Sequence, residues 1–212
     1  MDKRTFAVER LGVGDWPRTD GVGQVVIGLD QWNALIDVHS RVQHPAHFAF
    51  DVAPDRSAAT IAVVGRRADG LLHAEIVDRQ QGTGWLTQRI VDLVARHSPT
   101  SVVCDAIGPA ASLIEELERA YVRVTALQTQ EVVQACGLFF DAVEQQTLRH
   151  LGTSELTASI KGAARRPLGD AWAWSRRSSA VDIAPLVAVT LALSASIRNE
   201  RSVYETRGML TV

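Results

Sequence analysis

Long apolar runs are missing from this sequence. No stretch reaches the roughly 18 uninterrupted apolar residues that a membrane-spanning helix needs. The longest candidate, Ile183 to Ile197, is short, rich in Ala and Ser, and holds Pro185, so no membrane span is expected. The opening residues, MDKRTFAVER, contain no apolar core of a secretory leader. Cysteine is scarce: Cys104 and Cys136 both sit in apolar stretches. They read as buried free thiols in a reducing compartment, not as a disulfide or a metal site. No GxxxxGK[ST] phosphate loop occurs, and Lys161-Gly162 has the wrong order and setting for one. HExxH and GxSxG are also absent, which removes the usual signatures of zinc proteases and of serine hydrolases. The segment GVGQVVIG (21–28) is not GxGxxG and follows no strand. His44 and His47 are three apart, but Pro45 opposes a helix there, and they read as surface histidines. There is no internal repeat and no low-complexity tract.

What is present is ordinary globular material. The 212 residues are 46% hydrophobic and 22% charged, enough apolar surface for one folded domain. The net charge of −2 conceals an asymmetry. Residues 1–145 hold 13 Lys/Arg against 19 Asp/Glu, whereas 146–212 hold 9 against 5. A basic end on a mildly acidic protein suits a polyanion partner, although a solvated Arg-rich surface would look the same.

Residues 1–45 are rich in turn formers, with isolated large anchors at Phe6, Trp16 and Trp32. They read as an irregular lead-in packed on the surface, or a linker. Order begins near Ala46. AHFAFDVA (46–53), TIAVVG (60–65) and HAEIVD (73–78), joined by short polar turns, predict an antiparallel three-strand meander. Leu86, Ile90, Leu93, Val94 and His97 share a helical face that Pro99 terminates. SVVCD (101–105) predicts an apolar strand, a helix follows through Arg119, and YVRVTAL (121–127) predicts another strand. A helix over 128–144 would face inward with Val132, Val133, Cys136, Phe140 and Val143. Residues 153–166 read as helical, AWAWS (171–175) as a strand, and a last helix spans about 182–199 with Pro185 tolerated in its first turn. The expected fold is α/β: a mixed sheet, meander plus parallel strands, with helices on both faces.

Three acids are embedded in this pattern. Asp51 lies mid-strand between Phe50 and Val52, where a charge is costly without a partner. Asp105 ends an apolar strand, and Asp182 heads the last apolar helix. A turn residue and a helix cap would explain the last two separately. Together, near strand ends of one sheet, the three acids suit a shared hard cation, since clustered carboxylates otherwise repel. Two Mg2+ or Mn2+ ions held there would serve phosphodiester cleavage.

The arrangement resembles the ribonuclease H-like superfamily, and within it the nuclease domain of tailed-phage, actinophage-like terminase large subunits. The segments that carry the resemblance are FDVAPDRSAATIAVVG (50–65), SVVCDAIGPA (101–110) and RRPLGDAWAWSRRSSAVDIAPLVAVTLAL (165–193), with FAVERLGVGDWP (6–17) similar to the stretch that joins such a nuclease to its motor. The resemblance implies a lead-in at 1–45 from an ATPase motor domain and a nuclease domain at 46–212. It implies Asp51, Asp105 and Asp182 as catalytic, metal-holding carboxylates, with Asp55 as an auxiliary acid. The implied activity is metal-dependent cleavage of double-stranded DNA during phage or prophage genome packaging, leaving a 3′ hydroxyl and a 5′ phosphate. The implied setting is the bacterial host cytoplasm, with a motor domain, a small terminase subunit and a portal as partners. With no phosphate loop, the chain is expected to be the nuclease part alone, as a fragment or a split gene.

The segment 161–177 holds Lys161, Arg165, Arg166, Arg176 and Arg177 against the single acid Asp170. These are candidate DNA-phosphate contacts; a solvated surface is the plainer alternative. Trp172 and Trp174 share a strand face and are expected to pack in the core, and Cys104 is read as packing, not as a nucleophile. Rival readings are a junction resolvase or transposase-type nuclease on the same scaffold, an actin-like nucleotide-binding domain, and a non-catalytic packaging docking module. The actin-like one needs a Gly where Ala53 stands.

Overall fold

The computed structural model describes residues 25–43 and 45–208, with side chains through Asn199. The elements are α1 (Leu29–Asn33), β1 (Ala46–Val52), β2 (Ala58–Arg66), β3 (Leu72–Gln81), α2 (Leu86–His97), β4 (Ser101–Asp105), a 3-10 turn (Pro109–Leu113), α3 (Ile114–Arg119), β5 (Val124–Leu127), α4 (Thr129–Glu144), β6 (Leu148–His150), α5 (Ser154–Gly162), β7 (Arg165–Leu168), β8 (Ala171–Trp174) and α6 (Ala184–Gly208). Six strands form one sheet in the order β5-β4-β1-β2-β3-β6, while β7 and β8 form a separate hairpin. The β1–β2 and β2–β3 pairs are antiparallel; β1–β4, β4–β5 and β3–β6 are parallel. All seven residues of β1 are buried, because it lies mid-sheet with helices on both faces.

Alternation along the strands sorts the core into two layers. Phe48, Phe50, Val52, Ile61 and Val63 pack with Leu86, Ile90 and Leu93 of α2 and with Leu113 and Leu117. On the other face, Ala49, Ala62, Val64, Ala74 and Val103 pack with α1, α4, α5 and α6. The small Ala side chains on that face admit α6 close to the sheet, and α6 is buried on every side from Ala184 to Ser194. A helix apolar all round belongs in a core.

Trp32 ties the segment before the sheet into this second layer. It is fully buried, stacks on His150 at 3.8 Å, and its indole N–H donates to Thr157 Oγ1 at 3.3 Å. His150 Nε2 bonds the Trp32 carbonyl at 2.9 Å, and Nδ1 accepts from the Gly152 N–H at 3.0 Å, a pairing that only the neutral ring satisfies. Burial also holds His150 below its ordinary pKa. Trp32→Ala is expected to lower stability by about 3–5 kcal/mol, the usual range for emptying a buried Trp site; urea denaturation measures it.

Several local expectations change. Residues 153–166 are not one helix: α5 ends at Gly162 and 165–168 form β7. The AWAWS strand pairs only with β7, outside the main sheet. β6 was not anticipated; its three residues are held by β3 and by a bridge between Ile36 and His150. On α4 the inward aromatic is Phe139, whereas Phe140 lies at the layer's margin against Trp172. His47 is not a surface residue: it is buried, with Nδ1 2.9 Å from Ser101 Oγ. His44, Phe6 and Trp16 lie outside the described residues. No helix among the described residues is long and apolar enough to cross a membrane.

Candidate active site

Pairing register places four polar side chains in one row. Asp51 of β1 is opposite Thr60 of β2, and Thr60 is opposite Arg79 of β3. β4 runs parallel to β1 with Ala49 beside Val103, so Asp105, two residues further, stands level with Asp51. Paired residues share a sheet face; here it is the face that α6 covers. The Ile61/Ala62 bulge in the β2–β3 pair shifts the register by one residue, so that Arg79 and not Asp78 stands opposite Thr60. Asp182 enters the same neighbourhood two residues before α6, accepting the Ala184 N–H at 2.9 Å through Oδ1.

Arg176 joins the three acids. It donates from both terminal nitrogens to the Asp51 carboxylate, at 2.5 and 2.8 Å. Asp51 is fully buried. Burial pushes its carboxyl up to about 6, against the pull of Arg176 and with a small addition from Asp105. Burial disfavours the Arg176 charge, yet Asp51, and then Asp105 and Asp182, more than offset that and hold the guanidinium above its usual value. Asp182 has a second partner, Arg79, at 3.1 Å. Among the described residues no three His, Cys, Asp or Glu stand close enough to clasp an ion as placed. Asp51 and Asp182 are instead drawn onto Arg176 and Arg79, which supply the positive charge that adjacent carboxylates require.

The loop after β4 is shaped by Asp105. The Ile107 N–H donates to Asp105 Oδ1 at 3.0 Å. A Cβ on Gly108 would lie 3.0–3.1 Å from the Asp105 carboxyl group, so only glycine fits without displacing the acid. The loop forms one wall of a cleft of about 220 Å³ lined by Asp105, Ile107, Pro109, Arg166, Leu168 and Arg176, among others. The β7–β8 hairpin forms the opposite wall.

Of the other candidates, Asp55 is exposed in the β1–β2 turn, where it accepts the Ser57 N–H at 3.0 Å. The Ser57 hydrogen bonds hold its carboxyl below the ordinary range. Lys161, Arg165, Arg166 and Arg177 are exposed. Arg165 lies over Trp172, 5.1 Å from the ring centroid, which fixes its charge on the hairpin. Trp174 is buried and its indole donates to Thr190 Oγ1 at 3.0 Å; Trp172 packs edge-on against it. Cys104 is fully buried, and burial, then Asp105 and Asp51, push its thiol up to about 12, so it is inert at neutral pH. Three residues at the site carry no sequence signal: Arg79, Thr60 and Arg56. Arg56 bonds Ser112 Oγ at 2.9 Å and Thr83 Oγ1 at 3.2 Å, tying the β1–β2 turn to neighbouring loops.

The donor chemistry of Asp51, Asp105 and Asp182 is all oxygen and all anionic, which fits Mg2+ or Mn2+ and not a soft metal. A further buried oxygen in the row, Thr60 Oγ1, has no hydrogen-bond partner, a second sign that the site is built to accept another group.

A three-strand antiparallel meander continued by parallel strands, with acids at the β1 and β4 ends and at the head of the covering helix, is a ribonuclease H-like fold. Solved structures it is similar to include a phage large terminase and the nuclease domains of others. The large terminase of bacteriophage HK97 superposes with a TM-score of 0.69 at 10% identity, covering 81% of this chain. The large terminase nuclease of thermophilic phage G20c with bound magnesium gives 0.55 at 15% identity over 82% of this chain. A point mutant of the gp2 nuclease domain of bacterial virus Sf6, with manganese, gives 0.59 at 11% identity over 80%. The match spans 43% of the HK97 protein, but 97% and 99% of the two nuclease structures. No family model and no curated protein sequence matches the chain.

Proposed function

We propose that this protein is a divalent-metal-dependent endonuclease that cuts double-stranded DNA in phage genome packaging, the nuclease activity of a terminase large subunit. The observation that carries the reading is the Asp51–Arg176 pair, with Asp105 and Asp182 both acting on the same guanidinium. Three acids from separate elements around one half-buried positive charge form a site that a small cation can enter. The neighbours solved with magnesium and manganese support the choice of metal.

In this reading Asp51, Asp105 and Asp182 hold the ions, with Asp55 at the rim as an auxiliary acid. Two bound Mg2+ or Mn2+ ions would supply activation of the attacking water and stabilisation of the departing 3′ oxygen, leaving a 5′ phosphate. Burial at β1 fixes Asp51, the Ile107 N–H fixes Asp105, and the Ala184 N–H together with Arg79 fixes Asp182. Lys161, Arg165, Arg166 and Arg177 take the DNA phosphates along the hairpin side of the cleft. Residues 1–45 lead from a preceding ATPase motor domain into the nuclease body at 46–212, with Trp32 as an anchor. The remaining partners are a small terminase subunit and a portal, in the cytoplasm of a bacterial host.

The test is nicking of supercoiled plasmid with Mn2+ or Mg2+ present, and with EDTA. Metal-dependent conversion to open-circular and linear DNA is expected, and no cleavage under any divalent ion overturns the reading. For the hairpin, Arg165→Glu and Arg166→Glu are each expected to weaken duplex binding across all sequences. Each should flatten the dependence of log affinity on log salt by about one unit, read by fluorescence anisotropy over a salt series.

A further inference from the structure

Thr60 Oγ1 is a buried hydroxyl oxygen without a hydrogen-bond partner. Its residue is fully buried, and a native protein rarely leaves such a group unsatisfied without reason. Two other oxygens share this condition, on Thr87 and Ser194, but both belong to helices. Thr60 alone of the three is paired in register with charged residues of the acid row, Asp51 on one side and Arg79 on the other.

Directly opposite residues on antiparallel strands have Cβ atoms about 4.5–5.5 Å apart, a separation that a hydroxyl–carboxylate hydrogen bond can span. Instead each Asp51 oxygen accepts from Arg176, and the bidentate guanidinium sets the carboxylate's orientation. Anything that takes over the positive charge and releases the guanidinium frees the carboxylate to turn toward the Thr60 hydroxyl. We propose that Thr60 is a positioning residue of the cation site: its hydroxyl donates to the Asp51 carboxylate when a divalent ion replaces Arg176. The inference rests on the metal-site reading above. It explains why a polar residue is kept on a strand face otherwise built from Ala49, Ala62 and Val64.

A purely structural role makes the opposite forecast. In the metal-free protein the hydroxyl has no partner, so Thr60→Val, equal in shape, is expected to melt no lower than wild type. Mn2+ binding to the same full chain, followed by isothermal titration and by the Mn2+-induced rise in melting temperature, is expected to weaken by about tenfold or more, the usual effect of losing a partner that orients a metal ligand. Thr60→Ser keeps the hydroxyl and loses the methyl. It is expected to melt lower and to bind Mn2+ like wild type. Wild-type Mn2+ affinity in Thr60→Val overturns the inference and leaves the metal-site reading standing. A wild-type protein that takes up no Mn2+ at all overturns both.

Discussion

Asp51→Asn is expected to abolish metal-dependent nicking, with a loss on the order of a thousandfold or more. Ions that stabilise charge in phosphodiester hydrolysis contribute several kcal/mol, and each 1.4 kcal/mol is tenfold in rate. Asn retains the shape but offers one neutral oxygen and no charge. Asp51 is the sharpest place to test this because it is the one fully buried acid of the three, so solvent cannot substitute for it. The variant is also expected to lose the Mn2+-induced rise in melting temperature, which separates failed ion binding from damage elsewhere. Full nicking activity in Asp51→Asn would remove it from the mechanism.

Arg176→Gln is expected to lower metal-free stability strongly. The substitution leaves the Asp51 carboxylate buried without its two-pronged partner. Removing one member of a buried ion pair costs about 3–5 kcal/mol, which corresponds to a fall of about 6–20 °C in melting temperature for a chain of this size. The loss depends on pH with a definite sign. The folded-state pKa of Asp51 is already raised to about 6 from 3.8, so its contribution to stability is fully present below about 3.8 and is lost as pH rises through about 6. Without Arg176 the pKa moves higher still. The deficit is therefore small at pH 5, where Asp51 can hold its proton, and large at pH 8. Mn2+ is expected to raise the melting temperature of Arg176→Gln by more than it raises that of wild type, because the ion supplies the missing positive charge without first displacing a guanidinium. Thermal melts at pH 5 and pH 8, with and without Mn2+, read all of these effects. An Arg176→Gln protein as stable as wild type at pH 8 would contradict the pairing.

The acids were legible because a carboxylate inside an apolar strand breaks a pattern, and Asp51 breaks it most. The meander and α2 were legible for the same reason in reverse: their apolar periodicities are unbroken and their turns are polar. β6 was not, since three residues carry no period and its pairing depends on His150 meeting Ile36 and Trp32 across the chain. The end of α5 was hidden because Ala163 and Ala164 suit a helix, while β7 exists only through its pairing with β8. Arg176 was visible as one of several basic residues. Its bond to Asp51 was not, because nothing local in the sequence says which arginine turns inward. Arg79 and Thr60 follow from register, and register was fixed here by a bulge that the residues of β2 and β3 do not announce.

The position of Asp182 has a consequence for the life of the chain. Synthesis runs from the N-terminus, so a polypeptide still on the ribosome presents Asp51 and Asp105 before the third acid and its helix have been made. α6 seats against β1 and β2, and that seating brings Asp182 home. An unfinished or truncated copy thus lacks both the third carboxylate of the candidate site and the helix that closes one face of the sheet, so the candidate site is complete only once the last quarter of the chain has been made.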